Sequence, residues 1–219
     1  MKTKLQLALD DISLGDALAL VEKVQKRIDI VEIGTPFLME YGMEAVRRFR
    51  RQFPDKEILC DGKIADAGGY EAELAYQAGA DYATVLAVTD ECTIADVVLT
   101  AKRMGKKVMA DMLCVQNLGE RAKRLEELGV DVIAVHTGVD QQAMGRTPLD
   151  DLRELRAAVK HAGIAVAGGV KAENVEEYLA CGPEIIIVGG GIVHAREPEK
   201  EAGILAEKLK KQEAAERNA

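Results

Sequence analysis

The chain has 219 residues and a formal net charge of −8, with 48% hydrophobic, 30% charged and 4% aromatic residues and no tryptophan. That length suits one large domain, whose core must be built from Ala, Val, Ile and Leu. The acidic balance argues against nucleic acid or an anionic membrane surface as the main partner, and no apolar run approaches a membrane span, while a small anionic ligand stays compatible.

Met1-Lys2-Thr3-Lys4 leads straight into an apolar run, so no signal peptide is expected. Short apolar runs then alternate with amphipathic ones to the end of the chain. The pattern predicts strands at 4–10, 28–34, 57–61, 81–88, 107–113, 131–137, 164–168 and 184–189. Between and after them it predicts helices at 13–27, 36–53, 69–79, 91–104, 117–128, 148–162, 172–181 and 198–212. Ile185-Ile186-Ile187-Val188 is apolar at every position, as in a parallel strand covered on both faces. Ser13 and Asp90 read as N-caps, and Pro148 as a first-turn proline. Gly79, Gly105, Gly129 and Gly163 read as residues following helix ends. Gly-Ala-Asp at 79–81 and Gly-Val-Asp at 129–131 each open a strand.

Eight strand–helix units in one chain predict an α/β fold, a single-domain (β/α)₈ TIM barrel over 1–212 with a polar, fraying tail at 213–219. An open doubly wound sheet is the alternative. It is disfavoured because the first strand ends in Leu9-Asp10 rather than in a G-x-G-x-x-G turn. Of the four cysteines, Cys60 and Cys114 read as small core residues. Cys92 and Cys181 complete a set with no C-x-x-C and no metal-ligand spacing, and a reducing cytoplasm is the expected compartment.

In such a barrel the site lies where the strands end. The predicted ends deliver Asp10, Glu32, Asp61 with Lys63, Thr84, Asp111, His136, Gly168-Gly169 and Gly189-Gly190-Gly191 to one mouth. Glu32 and Asp61, on adjacent strands, suit a divalent ion such as Mg²⁺, which accepts a few carboxylates and keeps waters for a substrate to displace. The alternative there is an ion-pair network around Lys63 with no ion. Lys63 among carboxylates should stay protonated and face a developing oxyanion. His136 is the candidate proton carrier, with a satisfied core histidine as the alternative. The two glycine clusters present bare backbone N–H groups to a phosphate, unless they merely allow tight turns. The 139–147 loop is the longest at this mouth and carries Arg146. His161 and His194 show no sequence partner.

These residues resemble the orotidine 5′-monophosphate decarboxylase superfamily. The group in question contains 3-hexulose-6-phosphate synthase and 3-keto-L-gulonate-6-phosphate decarboxylase. The likeness runs from Leu5-Gln6-Leu7-Ala8-Leu9-Asp10, through Val31-Glu32-Ile33-Gly34-Thr35, to Val188-Gly189-Gly190-Gly191-Ile192. The D-x-K-x-x-D of the superfamily stands as Asp61, Lys63 and Asp66. Asp111-Met112-Leu113-Cys114 and Val135-His136-Thr137-Gly138-Val139 resemble the synthase branch, whereas Lys63-Ile64-Ala65-Asp66-Ala67-Gly68 is close to the decarboxylase version.

The resemblance implies a ribulose-phosphate-binding barrel that condenses formaldehyde with D-ribulose 5-phosphate through an enediolate. It implies Mg²⁺ on Glu32 and Asp61, with Mn²⁺ as a substitute. It further implies His136 as the base, Lys63 as the oxyanion partner, and Asp10 and Asp111 at the reacting end. Asp66 would come from the second subunit of a homodimer. The decarboxylase activity is the alternative within the group. A sugar-phosphate binder without turnover is the alternative outside it.

Overall fold

In the computed structural model, which describes residues 3–218, eight parallel strands close on themselves in sequence order. They are β1 (Lys4–Leu9), β2 (Ile30–Ile33), β3 (Glu57–Ile64), β4 (Tyr82–Leu86), β5 (Lys107–Asp111), β6 (Val132–His136), β7 (Gly163–Ala167) and β8 (Ile185–Val188). Closure comes from β1, which pairs with β2 on one side and β8 on the other. Met1 and Lys2, where no signal peptide is expected, and Ala219 of the expected tail lie outside the described residues.

Among the described residues, ten helices surround the barrel: α1 (Leu14–Val24), α2 (Thr35–Gln52), α3 (Gly68–Gln77), α4 (Glu91–Met104), α5 (Leu118–Leu128), α6 (Val139–Ala143), α7 (Leu149–Ala158), α8 (Val175–Leu179), α9 (Gly190–Val193) and α10 (Pro198–Asn218). None of the described helices is long and apolar enough to cross a membrane.

Strand periodicity sorts the core into two layers. Every second residue points inward, so Ala8, Ile30, Leu59, Tyr82, Met109, Val132, Ala165 and Ile187 fill the barrel. The alternate residues, such as Leu7, Val31, Ile58 and Ile186, pack outward against the helices. Both faces of each strand are therefore buried, as continuous apolar runs require.

The recurring acid before a strand has a physical role. Asp29, Asp81, Asp131 and Glu184 each precede an even-numbered strand. Each accepts the backbone N–H that opens the odd-numbered neighbour, from Leu5, Ile58, Val108 and Ile164 at 3.0, 3.0, 2.8 and 2.6 Å. These bonds close the N-terminal pole of the barrel and pin the register of four strand pairs.

Several boundaries differ from the sequence pattern. β3 runs on to Ile64, so Asp61, Gly62 and Lys63 belong to an irregular strand end and not to a loop. α2 is broken at Gly42, whose φ of 59° interrupts the helix. α7 stops at Ala158 because the Glu126 carboxylate takes the N–H groups of Lys160, His161 and Ala162. Gly163 is thus the first residue of β7. Pro148 holds the cap position of α7, and Asp90 caps α4 without a side-chain bond, whereas Ser13 does accept from Asp16 N. The 139–147 loop contains α6. α10 continues past 212 to Asn218, through the segment expected as a tail. Cys60 is a core residue, its thiol pushed up to about 12 by burial. Cys114 is exposed, at φ 65°, because the apolar run turns out of the barrel after Met112.

Candidate active site

Four inward-facing strand ends build the centre of the mouth. Asp61 comes from β3, Thr84 from β4, Asp111 from β5 and His136 from β6. Asp61 is buried and clamped. Thr84 Oγ1 donates to its Oδ1 at 2.8 Å, and Thr35 Oγ1, at the start of α2, lies 2.8 Å from its Oδ2. Lys63 pairs with the same carboxylate and donates to Thr35 Oγ1 at 3.0 Å. Its backbone N–H donates to Thr84 Oγ1 at 2.9 Å.

This bond goes with an unusual backbone. Lys63 has φ 45°, a left-handed conformation that costs a lysine energy and that surrounding contacts must impose. The turn brings both Asp61 and Lys63 to the same pole, although residues two apart on a strand would otherwise stack along it.

The chain of contacts continues across the barrel. Lys63 Nζ lies 3.7 Å from Asp111 Oδ2, which lies 2.8 Å from His136 Nδ1. Asp111 Oδ1 accepts the Leu113 N–H at 2.9 Å. With Nδ1 held by the buried carboxylate, the imidazole is oriented with Nε2 left for a substrate. Burial acts to raise the Asp111 pKa, but the His136 hydrogen bond and charge, with Lys63, outweigh it and leave the carboxyl below its ordinary range. For Lys63, burial acts to lower the pKa. Asp61, Asp111 and Glu32 outweigh it, so the ammonium stays charged above the usual lysine value.

Glu32 and Asp10 complete the acidic side. Glu32 is buried in the barrel, where Gln6 Nε2 donates to its Oε2 at 2.6 Å. Burial first, and the Asp61 charge second, push the Glu32 carboxyl well above its ordinary range; the same two causes raise Asp10. Asp10 sits against Gly34, where a Cβ would lie 2.1 Å from its Oδ1. Four carboxyl groups thus share one pole with a single ammonium, a charge excess that a divalent cation would relieve. Among the described residues, no group of three or more His, Cys, Asp or Glu side chains is arranged to hold a metal. Glu32 and Asp61 are the pair of carboxylates that could hold a divalent ion such as Mg²⁺, with Asp61 Oδ1 now bonded to Thr84 and Oδ2 to Thr35 and Lys63.

The glycine clusters lie at the ends of β7 and β8. Gly168 and Gly169 have φ of 114° and 69°, and a Cβ on Gly168 would lie 2.5 Å from Thr137 O. Gly189 caps α9, whose first N–H groups have no partner within the helix. A Cβ on Gly191 would approach Val170 O and Val188 Cγ1 to 3.0 Å. Here the backbone is bare by steric need, as a phosphate cradle requires.

Not every expected residue joins the centre. Asp66 is exposed, and its Oδ1 accepts the Ala67 N–H at 2.7 Å; the fold does not bring it into the Asp61–Lys63–Asp111–His136 chain. Arg146 is exposed after α6. His194 does find a partner, Asp11, with Nε2 2.9 Å from Oδ2. Gln6 and the clamping role of Thr35 and Thr84 escape sequence reasoning. Their one signal is a polar residue at an inward position of an otherwise apolar strand or at a strand–helix junction.

Comparison with known proteins fits this geometry. The model of the orotidine 5′-phosphate decarboxylase / HUMPS family matches residues 3–203. The chain is similar to 3-hexulose-6-phosphate synthase of Bacillus subtilis, 44% identical over 199 residues, which are 91% of this chain and 95% of that one. It is similar to the crystal structure of 3-hexulose-6-phosphate synthase from Salmonella typhimurium, with TM-score 0.94 and 46% identity over 96% of this chain and all 100% of that chain. A 3-keto-L-gulonate-6-phosphate decarboxylase structure from Vibrio cholerae aligns with TM-score 0.85 and 27% identity, covering 96% of this chain and 99% of that one.

Proposed function

The chain belongs to the orotidine 5′-phosphate decarboxylase / HUMPS family, and from that premise we propose that it is a 3-hexulose-6-phosphate synthase, an aldehyde-lyase that condenses formaldehyde with D-ribulose 5-phosphate to D-arabino-hex-3-ulose 6-phosphate. The observation that carries the reading is the contrast in likeness. Full-length relatives named as the synthase are far closer in sequence than the decarboxylase structure of the same fold.

The residues support this chemistry. The sugar phosphate binds with its phosphate in the cradle of Gly168, Gly169, Gly189, Gly190 and Gly191. Its other end reaches the acidic pole. Glu32 and Asp61 would hold Mg²⁺ or Mn²⁺, which would supply Lewis-acid polarisation of the sugar's oxygens. His136 Nε2 removes the C1 proton, and Asp111 stabilises the imidazolium that forms. The electron pair moves to the carbonyl oxygen, where the Lys63 ammonium faces the developing charge. C1 then bonds the formaldehyde carbon. The new alkoxide takes a proton from an acid of the site, to which the protonated His136 is the nearest fit. Asp111 accepts from the Leu113 N–H and holds His136 Nδ1, which suits it to orient the imidazole.

Exposed Asp66, with Met39, Tyr70 and Leu74 exposed on α2 and α3, supports a homodimer in which Asp66 completes the partner's site. The acidic charge and the substrate chemistry suit a cytoplasmic enzyme.

Formaldehyde loss in the presence of ribulose 5-phosphate tests the proposal. Consumption that needs Mg²⁺ and is abolished by Lys63→Ala is expected. Faster release of CO₂ from 3-keto-L-gulonate 6-phosphate than consumption of formaldehyde would replace the synthase reading with the decarboxylase one.

A further inference from the structure

One polar side chain of the barrel interior has no part in the chain of contacts from Thr84 to His136. Gln6 points inward from β1, is fully buried, and lies among the side chains that fill the barrel. Its Nε2 donates to Glu32 Oε2 at 2.6 Å. Its Oε1 has no hydrogen-bond partner, the one buried side-chain polar atom in that state among the described residues. A buried amide oxygen without a partner is costly, and a methionine would fill the same length of space without that cost. What separates glutamine from methionine here is the donor end alone.

We infer that Gln6 is the positioning residue of Glu32: its amide fixes one carboxylate oxygen and leaves the other for the divalent cation at the mouth. The inference rests on the metal reading of Glu32 and Asp61 given above. Glu32 sits on a short strand, and among the described residues no other group donates a hydrogen bond to its carboxylate. Gln6 thus supplies the hydrogen bond that holds this carboxylate beside the Asp61 charge. The arrangement is the familiar one in which a ligating carboxylate is itself oriented by a hydrogen bond from behind.

The test uses the full-length, metal-free protein and Mn²⁺ alone, with free ion followed by electron paramagnetic resonance. Four proteins are compared: wild type, Gln6→Met, Glu32→Gln, and the double variant. Gln6→Met is expected to weaken Mn²⁺ binding by about tenfold or more with its thermal transition kept. In the Glu32→Gln background the same substitution is expected to do nothing further, since no carboxylate remains to be held. Equal Mn²⁺ affinity in wild type and Gln6→Met overturns the inference, as does an equal loss in both backgrounds. Should Gln6→Met fail to fold, the side-chain amide resonance of Gln6 in the wild-type protein decides. A shift on adding Mg²⁺ supports the role, and an unmoved resonance overturns it. Wild-type protein that binds no Mn²⁺ overturns the metal reading and this inference together. Binding indifferent to Gln6 removes only the latter.

Discussion

His136 Nδ1 lies 2.8 Å from Asp111 Oδ2, and the carboxylate that holds it is buried at the end of the neighbouring strand. The pair fixes which imidazole nitrogen meets the substrate. Asp111→Asn keeps the shape but replaces the acceptor by an amide that can present its donor face to Nδ1. The expected result is a fall in kcat of about 100-fold or more with a much smaller change in KM, read from steady-state formaldehyde consumption. An unchanged kcat would remove His136 from the role of base.

Glu32→Gln keeps the volume of the side chain and removes its charge. Mg²⁺-dependent turnover should fall by at least about 100-fold, and added Mg²⁺ should no longer raise the melting temperature. Full activity of this variant in the presence of a chelator would exclude the metal reading and leave the Lys63 ion-pair network as the account of the carboxylates.

Gly168→Ala tests the cradle. A Cβ there meets Thr137 O at 2.5 Å with φ at 114°, so the backbone must shift. A stability loss of about 1 kcal/mol or more is expected from the strain, together with a raised KM for the sugar phosphate. A KM that stays at the wild-type value would place the phosphate elsewhere.

Asp66 offers a test of shared sites. Lys63→Ala and Asp66→Ala are each expected to abolish turnover. Unfolded together and refolded, they should regain about a quarter of wild-type activity, because half of the dimers are hybrids with one intact site in two. Mixed variants that stay inactive would place Asp66 outside the partner's site.

Asp81 bears on stability and pH. Burial acts to raise its pKa, but the Lys106 hydrogen bond, the Ile58 N–H and the Arg50 charge outweigh burial and hold it low. A carboxyl with a lowered folded pKa contributes stability above the ordinary aspartate value, near about 4, and that contribution is lost as pH falls through the folded value. Asp81→Asn should therefore lower the melting temperature near neutral pH, with the gap to wild type closing in acid. A gap that persists at low pH would assign the effect to packing alone.

Much of this was legible before any coordinates. Ile185 to Val188 reads as a buried parallel strand because all four side chains are apolar, and eight such runs leave few folds open. Asp10, Glu32, Asp61, Asp111 and His136 were legible as residues of one pole because each lies at or near the C-terminal end of a strand, and those ends share one pole in a barrel. The kink at Gly42 and the early end of α7 were not. Glycine inside an amphipathic run is silent about its φ, and Glu126 reaches the 160–162 turn only once α5 and α7 are packed.

The barrel and the residues near its mouth follow from the alternation of apolar runs, which is a local property of the chain. How those residues meet is set by packing. Thr35 and Thr84 with Asp61, Gln6 with Glu32, and Asp111 with His136 lie 23 to 26 residues apart, about one strand–helix unit. The register between neighbouring strands sets such pairs, and that register becomes fixed only when the sheet closes and every inward side chain must share one interior.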